Sequence, residues 1–177
     1  KVYTSIFPGV FKPISEMPGD LKRHVRYPRD FFRIQTAMYA TYHMTDPKVF
    51  YNKEDLWEVP VHNDKAMDAN YLIMKLPEEK KEEFVILVPY TPAKRDNLAA
   101  WFAARCDEQN YGKLLVFTFQ RDRLVFGPRQ IDARIDQNSY ISQQLSLWNQ
   151  RGSTVIRGKL LIIPVEKSLL YIQPLFL

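Results

Sequence analysis

The sequence predicts an α+β fold, a mostly antiparallel mixed sheet with three to four helices packed on it. Three observations carry this. Phe84-Val85-Ile86-Leu87-Val88 is an unbroken β-branched and aromatic run, the pattern of a strand buried on both faces. A second strand-like run, 71–76, is joined to it by a short charged stretch, so the two read as a hairpin. Phe31, Ile34, Met38 and Tyr42 recur at spacings of 3, 4 and 4, which is one face of a helix.

The remaining elements follow in order. Residues 1–27 contain Pro8, Pro13 and Pro18 with turn signals at Pro8-Gly9 and Pro18-Gly19. They read as an extended arm with an edge strand at 2–7, its Ile6, Phe7, Val10 and Phe11 packed on the body. Pro28 opens the helix of 28–44, and Asp46-Pro47 stops it. Residues 53–58 read as a helical turn and 61–70 as a polar loop. Asp96 is an N-cap candidate for a helix at 96–106. Residues 114–119 form a third strand, turning through 121–123 into 124–126. Gly127-Pro128 opens a polar helix at 129–136, and Ser139 caps another holding Ile141, Leu145 and Trp148. Residues 155–156, 159–163 and 169–172 close the chain as strands around a turn at 166–168. All 177 residues read as one domain, and no internal repeat is present.

Composition narrows the class. With 46% hydrophobic and 25% charged residues the chain is neither disordered, collagen-like nor coiled coil. A single Cys excludes a disulfide framework within it. No apolar run is long enough to span a bilayer. The first residue is Lys and no signal-peptide pattern opens the chain, so a fragment of a longer protein is expected. The net charge is +5, and its densest basic group is Lys22, Arg23, Arg26, Arg29 and Arg33. Basic residues interleaved with acids read as solvated surface, so nucleic acid is not the expected partner.

Patterns that would carry chemistry fail on inspection. His24, His43 and His62 lack the clustered spacing of a zinc site, so neither metal nor other cofactor is expected. Gly152 to Lys159 mimics a phosphate loop, but five residues separate its glycines instead of four and Leu160 follows the Lys. Cys106 falls at the end of the expected helix, away from the N-terminus that would stabilise a thiolate. No nucleophile elbow exists. No catalytic residue is assigned. The binding candidates are polar groups at element ends: His43 and Asp46; Arg95 and Asp96; Trp148, Asn149 and Arg151. The same residues suit caps and turns, so capping is the favoured role.

Several strings also resemble a known family. They include Ile6-Phe7-Pro8-Gly9-Val10-Phe11-Lys12-Pro13, Arg26-Tyr27-Pro28-Arg29-Asp30-Phe31-Phe32-Arg33 and Tyr42-His43-Met44-Thr45-Asp46-Pro47. Asn97-Leu98-Ala99-Ala100-Trp101-Phe102-Ala103-Ala104-Arg105 and Leu147-Trp148-Asn149-Gln150-Arg151-Gly152-Ser153 continue the series. Together they resemble uncharacterised protein family 0182, large bacterial multipass membrane proteins. The resemblance implies a part of an extracytoplasmic region at the cell membrane. Its implied partners are the membrane-embedded remainder of the parent protein and an envelope ligand or protein. It supplies no catalytic residues.

The expectation is therefore a non-catalytic ligand- or partner-binding domain of a bacterial membrane protein. One alternative is a cell-envelope hydrolase, for which His43 with Asp46 or Asp132 with Asp136 are the pairs to test. The other is a polyanion-binding module using the Lys22 to Arg33 cluster.

Overall fold

The computed structural model describes residues 2–77, 79–107, 109–120, 124–150, 152–165 and 168–177. Its helices are α1 (Val2–Ile6), α2 (Gly19–Lys22), α3 (Arg29–Tyr42), α4 (Pro47–Asn52), α5 (Pro128–Gln137) and α6 (Ser139–Trp148). The strands are β1 (Trp57–Glu58), β2 (Val61–His62), β3 (Lys65–Ala66), β4 (Asn70–Lys75), β5 (Glu82–Pro92) and β6 (Ala100–Arg105). They continue with β7 (Leu114–Thr118), β8 (Ile156–Arg157), β9 (Leu161–Val165), β10 (Ser168–Ile172) and β11 (Leu175–Phe176). The fold is α+β with antiparallel pairing throughout, as the sequence predicts.

β5 organises the sheet. β6 lies along one edge, with Val85 opposite Arg105 and Tyr90 opposite Ala100, and β7 follows β6. The other edge is shared: β4 pairs with residues 82–87 and β1 with Thr91 and Pro92. This division explains why β5 runs past Pro89, where the sequence reading ends it. The carbonyls of Phe84 and Tyr90 accept from the β6 side, so by strand alternation the nitrogen of Pro89 points to the other edge. There β4 has ended and β1 has not begun. The missing N–H costs no ladder bond.

Alternate residues of β5 and β6 build two cores. Ile86, Val88, Tyr90, Ala100, Phe102 and Ala104 face α3, while Val85, Leu87, Trp101 and Ala103 face the opposite side with Met74 and Leu76. A third cluster of Leu98, Leu160 and Ile162 links the sheet to the β9–β10 hairpin. At the end of β6 the buried Arg105 grips Glu83 with two of its nitrogens and Glu79 with the third, Nη1 to Oε1 2.8 Å. Paired in this way, its charge is tolerated inside.

The helix expected at 96–106 is β6 instead. All six of its residues are buried, wedged between β5 and β7. The Ala-rich stretch favours a helix locally, but its backbone pairs with β5 on one side and β7 on the other, and tertiary pairing overrides propensity. The turn expected at 53–58 is present at 53–55, where it leaves α4, and Trp57–Glu58 are β1 instead. The loop expected at 61–70 contains the β2–β3 hairpin, whose Asn63 and Asp64 both have positive φ, the two-residue turn that suits strand twist. Residues 124–126 are not a strand, although the carbonyls of Val125 and Phe126 accept from Leu98 N and the Tyr171 hydroxyl. Asn138, not Ser139, caps α6, accepting from Ile141 N at 3.0 Å. The turn expected at 121–123 lies outside the described residues, as do 166 and 167 of the turn expected at 166–168, whose Ser168 begins β10.

α3 forms where expected but buries the other face. Phe32 is 0% exposed, whereas Phe31, Ile34, Met38 and Tyr42 are 53–67% exposed. The helix carries two apolar stripes, and periodicity does not choose between them. The inward stripe has small residues at Thr36 and Ala40, which allow close approach to the sheet. Phe32 and Tyr39 stack on Phe102 at 5.2 Å each. The Tyr90 hydroxyl donates to the carbonyl of Thr36 at 2.6 Å, and burial pushes that phenol above the usual tyrosine range.

The arm also departs from expectation. Its first residues are α1, not an edge strand. Ile6, Phe7, Val10 and Phe11 are each more than half exposed and do not pack on the body. The contrast on α3 gives a direct test by denaturant unfolding. Phe32→Ala is expected to cost about 3–5 kcal/mol through lost burial and a cavity. Met38→Ala is expected to stay within about 0.5 kcal/mol of the parent chain.

Candidate functional site

His43 and Asp46 are close in sequence but serve different ends. His43 caps the C-terminus of α3, its Nδ1 3.0 Å from the carbonyl of Tyr39 and its ring stacked on Trp57 at 3.8 Å. Its Nε2 is buried without a hydrogen bond, and the nearest carboxylate is that of Asp55 at 3.9 Å. Asp46 is the N-cap of α4, accepting from Lys48 N at 2.8 Å and Val49 N at 3.0 Å.

Arg95 and Asp96 follow β5 in an exposed turn. Asp96 reaches Arg129 on α5 at 3.7 Å across solvent, a contact of little energetic weight. The backbone matters more here. A Cβ on Gly127 would lie 1.9 Å from the Asp96 carbonyl oxygen, so only glycine permits the approach that sets the start of α5.

Trp148 and Asn149 end α6. Asn149 Oδ1 accepts from Val155 N at 3.2 Å, tying the helix end to the chain leading into β8. Asn149 also lines a cavity of about 350 Å³ with Asp136, Ser142 and Arg157. Arg151 lies outside the described residues. The structure thus distributes the sequence candidates over three separate corners of the fold.

The acid pair on α5 is likewise divided. Asp136 pairs with Arg157, whereas Asp132 turns to His62 on β2, Oδ2 to Nε2 3.2 Å. Gln173, beyond β10, brings its amide nitrogen within 3.2 Å of the same Nε2. Three segments far apart in sequence therefore meet at one buried imidazole. Asp132 Oδ1 is buried and has no hydrogen-bond partner. His62 lines a second cavity of about 350 Å³ together with Asn63, Lys65, Asp68, Asn70 and Lys159. Across it Lys159 Nζ pairs with Asp68, and that hydrogen bond holds the carboxyl below its ordinary range. No short-range pattern could reveal Asp132, because the pairing depends on how α5 packs beside the β2–β3 hairpin.

Of the basic cluster, Arg26 and Arg29 lie over the ring of Tyr71 at 5.4 Å each, which engages both guanidiniums with the body. Among the described residues no group of three or more His, Cys, Asp or Glu could hold a metal ion, and no helix is long and apolar enough to cross a membrane. Cys106 follows strand β6 instead of ending a helix. It is 2% exposed, and burial pushes its thiol up.

Two outcomes are expected. Asp46→Ala should lower stability by about 1 kcal/mol in denaturant titration through loss of the cap. Alkylation of Cys106 by iodoacetamide should require opening of the fold. Because burial keeps the folded thiol protonated to higher pH, the native rate should go on rising past the pH at which that of a free thiol levels off.

The model of an uncharacterised protein family, UPF0182, matches residues 1–148. A relative from Pelobacter propionicus is 69% identical over 177 residues, which are all of this chain and 20% of the relative. Relatives from Geotalea uraniireducens and Geobacter sulfurreducens are 68% and 66% identical with the same coverage. The chain thus spans about a fifth of the length of these curated relatives, each described only as a UPF0182 protein. No solved structure matches it. The identity and coverage of these relatives, with a family match over most of the chain, place this protein in the uncharacterised family UPF0182.

Proposed function

We propose that this chain is a non-catalytic docking domain within a larger bacterial integral membrane protein, on the extracytoplasmic side of the cell membrane. The observation that carries the reading is the outer stripe of α3. Phe31, Ile34, Met38 and Tyr42 are exposed although the opposite face of the same helix is in the core. Tyr42 stacks on Phe50 of α4 at 5.8 Å, which extends the stripe across two helices. Contiguous exposed apolar surface of this kind marks an interaction site. The occupant is the remainder of the longer protein. Relatives carry about four times as much chain outside the matched region as within it, since the match covers 20% of their length. The family resemblance is what supports the membrane-embedded part and the extracytoplasmic placement.

The test uses one double substitution in two settings. Ile34→Asp with Met38→Asp should leave the unfolding midpoint of the 177-residue chain almost unchanged. In the longer protein it should make this region markedly more sensitive to limited proteolysis. Equal resistance of the substituted and parent longer proteins would overturn the docking assignment. Tyr140→Cys in intact cells reports the side: Tyr140 is exposed on α6, and an impermeant maleimide should label it.

A further inference from the structure

The sheet is open along β7. That strand has β6 on one side, and among the described residues no strand lies beyond it. Which of its groups face outward follows from the ladder to β6. The Lys113 carbonyl accepts from Arg105 N at 3.0 Å, and Phe119 N donates to the Ala99 carbonyl at 2.8 Å. The register sets Leu115 opposite Ala103 and Phe117 opposite Trp101, in the same phase. By alternation Leu114, Val116 and Thr118 aim both N–H and C=O away from β6. Among the described residues none of these outward groups has a hydrogen-bond partner.

A bare strand edge is a template for pairing, and proteins commonly blunt it with lysine or proline. β4 carries Lys75 and β9 carries Pro164. β7 carries neither, and no charged residue occurs from 114 to 120.

The edge is complementary to itself, and this selects the occupant. With two copies antiparallel about a two-fold axis at Val116, Val116 faces its own symmetry mate and Leu114 faces Thr118 of the other copy. All of these are outward-facing positions, so each pair is of the kind that exchanges two backbone hydrogen bonds. The pair between them is Leu115 opposite Phe117, apolar on apolar. Lys113 meets Phe119, so no like charges are opposed along the strand. A shift by one residue would set outward groups against those already bonded to β6 and lose the ladder. Two-fold pairing uses the edge of both copies and closes the assembly at two.

We propose that β7 is a self-association edge, pairing with β7 of a second copy of this chain to join the two sheets into one. The pairing uses none of the α3 stripe and does not depend on its docking role.

Sedimentation of the 177-residue chain, carried to about 1 mM to reach weak affinities, should show monomer giving way to dimer and nothing larger. Amide exchange by NMR reads the geometry. The amides of Leu114, Val116 and Thr118 should gain protection as dimer forms, whereas those of Leu115 and Phe117, bonded to β6, should be protected at every concentration. Leu114→Lys with Thr118→Lys sets ammonium groups opposite each other at both ends of the pairing and should weaken dimerisation roughly tenfold. Both side chains are exposed, so the unfolding midpoint should stay close to that of the parent chain. Mixing this variant with Leu114→Glu with Thr118→Glu should restore a dimer holding one chain of each kind. A chain that stays monomeric would overturn the proposal, and protection of the same three amides only in the longer protein would assign the edge to a strand of that protein instead. A dimer whose three amides still exchange freely would put the contact elsewhere and overturn it as well. Failure of the mixed variants to pair would overturn the register about Val116.

Discussion

The contact on which the rest of this structure depends is the seating of α3 on the β5–β6 face. Phe102 at the middle of β6 receives two stacked rings from the helix, Phe32 and Tyr39. Beside them the Tyr90 hydroxyl fixes the helix axially through the Thr36 carbonyl. Dispersion and burial supply the energy, and one buried hydrogen bond supplies the position. Once α3 is fixed, its C-terminus brings His43 onto Trp57, which anchors β1 beside the far end of β5. The entry to the helix is fixed too, because the Tyr71 hydroxyl of β4 donates to the carbonyl of Tyr27 at 2.5 Å. Both shared-edge strands are thus tied to the same helix.

The two sides of the sheet are finished differently. The α3 side is closed by aromatic rings. The other side is closed by the β9–β10 hairpin through Leu169 and by the segment before α5. The α5–α6 pair sits at the periphery and carries the ion pairs of Arg129, Asp132 and Asp136. That separation is why the polar junction at His62 could form without disturbing the aromatic core. It lies where two late-chain segments, α5 and the residues after β10, meet the β2–β3 hairpin.

What the sequence made legible was whatever local pattern decides alone. The double-buried run at the centre of β5, the β4–β5 hairpin, α5, α6 and the β9–β10 hairpin were all readable from periodicity and turn residues. What it left illegible depended on choices between equal local options. α3 carries two apolar stripes, and only the small residues at Thr36 and Ala40 decide which one meets a sheet. The segment holding Trp101 and Phe102 satisfies a helix or a strand equally well until β5 and β7 are placed on either side of it. The polar candidates were legible as element ends, and the structure gives Asp46 and Asn149 capping and tethering contacts. The His62–Asp132 contact was invisible because it joins a hairpin to a helix about seventy residues later.

Pro89 has a consequence for folding fidelity. The β5 edge that accepts β4 and β1 is broken at one point by a residue that cannot donate. If β4 slid by two residues toward the C-terminal end of β5, its ladder would demand an N–H from Pro89 and find none. Slippage by one residue would turn Met74 out of its core and bring an exposed neighbour in. The proline therefore works as a ratchet tooth: it leaves the native alignment untouched and blocks slippage in one direction to a register that would preserve the apolar pattern.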